Sequence, residues 1–197
     1  MDKISISYAD LDNFPELAFP EALLVWALRV WVDIANPHEG PGGRLAMERL
    51  RTAFDHARAP GVAAQLDHLW TIIGSSAKRQ IDVRCPGCIT LSPDEILFVR
   101  EIACRQRRVT PGPSGLLASL CPATARRVAA PFTQTLADGL AEGRLLLPAR
   151  PDGALCLWQG RLAAAMAANG EAEDEDAPAL DDRSLDETPR GRVITLH

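Results

Sequence analysis

A segment of this chain, residues 19–36, is apolar on almost every side, and that property limits the folds open to it. Pro20 suits the first turn of a helix, and Pro37 prevents the helix from continuing. Arg29 and Asp33, four residues apart, form the predicted ion pair on its one polar side. Such a helix either lies at the centre of a core or is shared between two subunits. We predict a central core helix, with a homodimer or another protein partner at the same helix as the alternative.

Apolar residues spaced three and four apart predict further helices along the chain. They indicate a second helix from about residue 44 to 58 and a third helix that carries residues 62–73. Alanine and leucine, which favour helices, dominate the composition, whereas aromatic residues make up only 5% of it. We therefore predict a mostly α fold, a compact multi-helix bundle with a short C-terminal β-hairpin and an acidic disordered tail.

The start of a further, central helix is marked by the sequence Ser92-Pro93-Asp94-Glu95. Ser92 is a favourable N-cap, and proline is favoured at the first helical position. Glu95 is placed to reach back to the capping residue, so the four residues form a capping box. Residues 80–84 alternate apolar and polar side chains, which indicates a short strand before this helix.

The second half of the chain is predicted to form a smaller subdomain. A hinge rich in proline and glycine, residues 110–115, precedes two helices, at 116–120 and 123–142. Pro131 is expected to kink or split the longer helix, because it removes a backbone hydrogen bond. The turn at residues 151–153 lies between two apolar runs, which predicts a β-hairpin.

Charge is concentrated near the end of the sequence. Between Glu171 and His197 nine acidic residues stand against three arginines, so this stretch carries a net charge of −6, and the rest of the chain, at about +1, brings the total to −5. Its composition cannot bury enough apolar surface to fold alone. The predicted organisation is an N-terminal helical core, 1–109, a helical and hairpin subdomain, 110–169, and a disordered acidic tail, 170–197.

The sharpest local motif is the pair Cys85 and Cys88, because the Pro-Gly bend between them lets both sulfurs face one metal ion or each other. Cys104 and Cys121 would complete a set of four thiolate ligands for zinc or for an iron–sulfur cluster. The first pair resembles the Cys-Pro-x-Cys knuckle of zinc ribbons. The resemblance covers only Cys85 to Cys88, implies a structural zinc site, and departs from the knuckle at Ile89, where glycine is usual.

Two other interpretations of the cysteine pair remain open. A redox dithiol of the thioredoxin type has its first cysteine at a helix N-terminus, which lowers the pKa of the thiol, whereas the helix here starts only at Ser92. Alternatively, the cysteines are small buried side chains around a tight turn. The first residues lack the pattern of a secretory signal, so we expect a cytoplasmic location, where structural disulfides are not expected.

A second candidate site lies in the predicted C-terminal subdomain. A short helix, a longer helix and a hairpin, in this order, resemble a winged-helix DNA-binding domain, which implies contacts with DNA phosphates. The helix interrupted by Pro131 would then be the recognition helix. The region is basic because of seven arginines, namely Arg105, Arg107, Arg108, Arg126, Arg127, Arg144 and Arg150.

The sequence contains no phosphate-binding glycine loop, no nucleophile elbow and no paired His/Glu zinc motif. No apolar run approaches the roughly 20 residues that cross a bilayer, so we expect no membrane contact. We therefore predict a cytoplasmic regulatory or protein-interaction protein that is not an enzyme, with a Cys-bound metal as its candidate cofactor. The alternative is a DNA-binding transcriptional regulator.

Overall fold

The computed structural model describes residues 11–35, 42–150 and 193–194, and most of these residues are helical. Within these ranges the elements are α1 (Phe19–Ala35), α2 (Gly42–His56), α3 (Val62–Ser76), β1 (Ile81–Asp82), α4 (Pro93–Gln106), α5 (Leu116–Leu120), α6 (Ala123–Glu142) and β2 (Val193–Ile194). None of the described helices is both long enough and apolar enough to cross a membrane. The predicted mostly α fold is confirmed, whereas the predicted hairpin turn and most of the tail lie outside the described residues.

Helix α1 lies in the core and packs against α2 and α4. Leu24, Leu28 and Trp31 are at most 5% exposed, which agrees with a central helix. Trp26 and Val30 are partly buried at the edge of the same core. The core therefore accounts for the apolar surface on several sides of this helix, and a homodimer through it stays a prediction.

Helix α6 packs against α3 and α4 and closes the other side of the core. Between these helices Trp70 of α3 meets Phe98 of α4 edge to face, with ring centroids 5.3 Å apart. The predicted boundary between residues 109 and 110 falls in the loop from α4 to α5, and buried side chains from both sides of that loop share one hydrophobic core. The division into two domains stays a prediction.

Pro131 does not split α6, which runs unbroken from Ala123 to Glu142. A proline inside a helix typically destabilises it by about 3 kcal/mol, because a backbone donor is lost. The buried face of the helix compensates for this loss, since it places Ala129, Thr133, Leu136, Ala137 and Leu140 in the core.

Strand β1 pairs with β2 in antiparallel register, with Ile81 opposite Ile194 and Asp82 opposite Val193. The sequence predicts the first of these strands. The disordered tail predicted for residues 170–197 stays a prediction, because the structure describes only Val193 and Ile194 of it. Both are β-branched and suit an extended backbone, and main-chain pairing with β1 adds hydrogen bonds that composition alone does not reveal.

Helices α2, α4 and α6 end in the same way. One arginine after each helix adopts a left-handed backbone, with φ of 60° at Arg58, 58° at Arg108 and 60° at Arg144. The next residue donates its N–H to the carbonyl five positions earlier, which is the hydrogen bond of a Schellman motif. Gly143, the predicted cap of α6, has an ordinary φ of -72° instead. Its role is spatial, because a Cβ there would lie 2.7 Å from the carbonyl oxygen of Arg58.

Replacing Gly143 with alanine should therefore lower the free energy of unfolding by about 1–3 kcal/mol, since the added methyl group meets backbone that cannot move away. Gly87→Ala is the matched control, because a Cβ at Gly87 meets nothing within 4 Å. Urea unfolding of the two variants measures the difference. Equal stabilities would mean that the end of α6 does not pack on the turn between α2 and α3.

Candidate functional site

The turn that carries Cys85 and Cys88 connects β1 to α4 and lies at the protein surface. The two sulfurs form a disulfide, with the Cα atoms 5.3 Å apart. The N–H of Cys88 donates to the carbonyl of Cys85 at 3.0 Å, while Pro86 and Gly87 are exposed. The expectation that these cysteines form no disulfide is therefore corrected. The Pro-Gly bend is the physical reason, because it brings the two Cα atoms within disulfide distance.

A buried arginine of α1 holds this turn from inside the core. Arg29 is 1% exposed and donates to the carbonyl oxygens of Cys88, at 2.6 Å, and Thr90, at 2.8 Å. Its Nε and Nη2 also donate to the two carboxylate oxygens of Glu95, at 2.7 and 3.0 Å. Arg29 is thus paired with Glu95 and not with Asp33, which corrects the predicted pair of α1. The sequence could not show this, because the two partners lie 66 residues apart.

Glu95 joins the turn, the strand and the helix through one buried carboxylate. The hydroxyl of Ser92 accepts the N–H of Glu95 at 3.2 Å, and the Glu95 carboxylate accepts the N–H of Ser92 at 2.8 Å. The predicted capping box is therefore confirmed. The same carboxylate accepts the backbone N–H of Arg84 at 3.1 Å, just before the disulfide turn. The Glu95 carboxylate thus anchors the start of the turn to the first turn of α4.

A second ion pair lies beside the first. Asp94 is 1% exposed and accepts two hydrogen bonds from Arg79, at 2.6 and 2.8 Å. It also accepts the backbone N–H of Asp82 at 2.8 Å, which ties β1 to the start of α4. Burial raises the pKa of the Asp82 carboxyl, and Arg84, 3.7 Å away, counteracts this only in part. The start of α4 thus combines three carboxylates with nearby arginines.

The other two predicted metal ligands lie elsewhere. Cys104 is near the C-terminal end of α4, roughly 17 Å along the helix from its start at 1.5 Å per residue. Cys121 is buried after α5, 3.9 Å from the Ser76 hydroxyl, and burial raises the pKa of its thiol. Nowhere in residues 11–35 or 42–150 are three or more His, Cys, Asp or Glu side chains grouped to hold a metal ion. The structure brings Cys85 and Cys88 together without Cys104 or Cys121, and metal binding by the four stays a prediction.

The chemistry open to the disulfide follows from its surroundings. The helix after the pair begins at Pro93, so no helix N-terminus lies at Cys85 to stabilise a thiolate, as the sequence predicts. Exchange with an external thiol requires access to a sulfur, and this turn is at the surface. The pair therefore fits a substrate of thiol–disulfide exchange better than a redox catalyst.

The arginines of the predicted DNA-binding region are largely engaged by the protein itself. Four of the seven bind internal acceptors: Arg105 binds Glu101, Arg107 binds the carbonyls of Ala103 and Leu147, Arg108 binds Asp138, and Arg150 binds Glu21. Residues 145–150 form no strand, and the rest of the predicted hairpin lies outside the described residues. The DNA-binding hypothesis stays a prediction, and it would depend on Arg126, Arg127 and Arg144.

Comparison of the chain with models of protein families, with curated proteins and with solved structures found no match. Function is therefore inferred from the geometry of the described residues. Sequence reasoning missed Arg29 as part of the site, although a signal was present. A single arginine within an apolar helix needs a buried partner, because an unpaired buried charge is strongly destabilising.

Proposed function

We propose that this chain is a regulatory, protein-interaction protein without catalytic activity, and that the Cys85–Cys88 turn is its regulated element. One observation carries the proposal: a disulfide between two half-buried cysteines lies in a surface turn, and the buried Arg29 binds the Cys88 carbonyl of that turn. The disulfide form gives a cross-linked turn, and the dithiol form presents two thiols. A partner that contacts the turn would distinguish these two forms.

The switch is local because hydrogen bonds anchor both sides of the turn. On the N-terminal side the Glu95 carboxylate accepts the N–H of Arg84. Arg29 binds carbonyl oxygens of Cys88 and Thr90, and the N–H of Phe14 donates to the carbonyl of Ile89 at 2.6 Å. None of these bonds involves a sulfur, so they persist when the disulfide opens. Ile89 is 68% exposed and directly follows the pair, which gives a partner an apolar contact beside the thiols.

A cellular dithiol would open the disulfide by exchange. Its thiolate attacks one sulfur of the pair to form a mixed disulfide, and its second thiol then displaces the protein sulfur. Two electrons and two protons pass to Cys85 and Cys88, and the reductant leaves as a disulfide. Loss of so short a cross-linked loop destabilises the fold by about 2 kcal/mol in the chain-entropy model, so the reduced protein stays folded.

We expect the pair to interconvert reversibly between about −320 and −180 mV, the range of cellular thiol couples. Alkylation and intact mass measurement after equilibration in thiol redox buffers gives the midpoint. Cys121 is an internal control, because its buried thiol should react only after unfolding. Hydrogen exchange of the reduced form should increase at residues 84–89 and not in α1. A pair that is fully oxidised, or fully reduced, throughout this range would contradict the proposal.

Zinc or an iron–sulfur cluster remains a second proposal for the reduced form, which elemental analysis of the same samples addresses. Zinc prefers four ligands, and Cys85 and Cys88 supply two thiolates. One zinc, or several irons, per chain would support a site completed by Cys104 and Cys121 after rearrangement. One zinc per two chains, in a dimer, would support a site shared between two copies. If the reduced protein contains no metal, the metal proposal fails and the thiol switch stands without it.

A further inference from the structure

A cavity of about 380 Å³ lies at the other end of α4, away from the disulfide turn. It is open to solvent and is lined by the second half of α4, by α5, by the start of α6 and by the proline-rich loop before α5. The residues that matter for its chemistry are Glu101, Arg105, Pro111, Gly115, Leu117 and Arg126. Its volume is within the range of small-molecule sites, which usually combine apolar walls with few polar groups.

The polar floor of the cavity is an ion pair inside α4. Glu101 is 2% exposed, and one of its oxygens accepts hydrogen bonds from Nε and Nη2 of Arg105, both at 3.0 Å. The backbone N–H of Leu116 lies near this carboxylate and lowers its pKa. Burial raises the pKa of the Glu101 carboxyl, and Arg105 counteracts that rise. The charges of Glu101 and Arg105 nearly cancel, and the Glu101 carboxylate lies at the base of the cavity.

Unused donors remain at the cavity after this pairing. Nη1 of Arg105 has no acceptor among the residues that the structure describes, because only Nε and Nη2 bind Glu101. Arg126 is exposed, and its guanidinium likewise has no acceptor in the described ranges. Guanidinium groups bind carboxylates through paired N–H bonds. The cavity therefore presents an excess of cationic donors.

The walls are apolar and depend on a glycine. Leu117 is 5% exposed, and Pro111 and Ala130 line the cavity with it. A Cβ at Gly115 would lie 2.7 Å from the Pro111 Cβ and 2.9 Å from a Glu101 oxygen. Only glycine therefore lets the proline-rich loop close against the Glu101 floor.

We propose that this cavity binds a small organic monocarboxylate. Its carboxylate receives N–H bonds from Arg126 and from Nη1 of Arg105, and its apolar body lies against Leu117 and Pro111. The Glu101 carboxylate, whose charge Arg105 partly offsets, disfavours a dianion such as phosphate more than a monocarboxylate, because Coulomb repulsion grows with the charge of the ligand. The proposal is independent of the thiol switch at the start of α4.

Titration of the full chain with benzoate, followed by NMR, tests the proposal, with benzamide as the uncharged probe of the same shape. Benzoate should give saturable shifts in the amides of residues 112–117, and benzamide should bind at least tenfold more weakly, as expected when a hydrogen bond to a charged group is lost. Arg126→Gln should weaken benzoate binding by a similar factor. Arg127→Gln, at the next position along α6, which is exposed but does not line the cavity, should leave it unchanged. Circular dichroism confirms that both variants are folded.

Five results would overturn the proposal. Equal shifts from benzoate and benzamide would mean that the carboxylate is not recognised. Benzoate binding that survives Arg126→Gln, or that falls equally with Arg127→Gln, would place the ligand elsewhere or make the interaction unspecific. Tighter binding of inorganic phosphate than of benzoate would identify a phosphate site, and absence of saturable shifts at millimolar benzoate would mean that the cavity takes no such ligand.

Discussion

Replacing Arg29 with methionine should lower the free energy of unfolding by about 3–5 kcal/mol, the usual loss when one partner of a buried ion pair is removed. Methionine retains much of the side-chain volume, so the effect comes from charge and hydrogen bonding. Glu95, which is 0% exposed, would be left without its cation. The carbonyls of Cys88 and Thr90 would lose their donor at the same time. Urea unfolding at neutral pH measures the change.

Two variants show whether the loss of stability comes from the broken Arg29–Glu95 ion pair. Arg29→Met combined with Glu95→Gln should recover much of the lost stability, because glutamine removes the unpaired charge and keeps an acceptor for the N–H of Ser92. Arg127→Met, at an exposed position, should change stability by less than about 0.5 kcal/mol. If the double variant is no more stable than Arg29→Met alone, Glu95 is not the buried partner of Arg29.

Replacing Arg150 with methionine should lower the free energy of unfolding by about 3 kcal/mol for the same physical reason. Arg150 is 7% exposed in its side chain and donates to both carboxylate oxygens of Glu21, at 2.7 and 2.6 Å. Glu21 is 0% exposed and also accepts the N–H of Ala18 at 2.8 Å, at the start of α1. Without the arginine this carboxylate is buried and unpaired. Thermal and urea unfolding measure the loss.

Arg150→Lys separates charge from geometry at the same position. Lysine supplies the positive charge but cannot donate two parallel hydrogen bonds to one carboxylate. The stability of the Arg150→Lys variant should therefore lie between that of the unchanged protein and that of Arg150→Met. Glu21→Gln combined with Arg150→Met should recover part of the loss. A change below about 1 kcal/mol in Arg150→Met would mean that the segment after α6 is not attached to α1 in solution.

The helices could be predicted from the sequence because their causes are local. Helix α4 starts at Pro93, directly after its N-cap Ser92, and its capping box involves residues within one turn. The apolar spacing that predicts α2 and α3 is also a property of neighbouring residues. The loop after α4 is marked by its own proline and glycine content. Such features need no knowledge of the rest of the fold.

The sites could be predicted only in part, because their residues meet across long separations. Cys85 and Cys88 are neighbours and were found from their spacing, but Arg29, which holds their turn, comes from another helix. Glu101 has its ion-pair partner on the same helix, yet Arg126 reaches its cavity from α6. No local pattern joins such residues before the helices are packed.

In two elements the tertiary contacts, and not the local sequence, decide the structure that forms. Pro131 disfavours a continuous helix, but the buried face of α6 keeps the helix unbroken. The strand Val193–Ile194 has a suitable composition, yet only its pairing with β1 distinguishes it from the acidic sequence before it. In both cases the deciding interactions lie outside the segment itself.

The two buried charges of α1 also set an order for folding during synthesis. Helix α1 leaves the ribosome before the other described helices, but Arg29 meets its partner 66 residues later and Glu21 meets its partner 129 residues later. Until residue 150 has emerged, complete burial of α1 would leave a charge without its counterion in an apolar core. Helix α1 therefore becomes fully enclosed only after residue 150 has emerged, and a chain interrupted before that residue would keep an apolar helix exposed to chaperones and proteases.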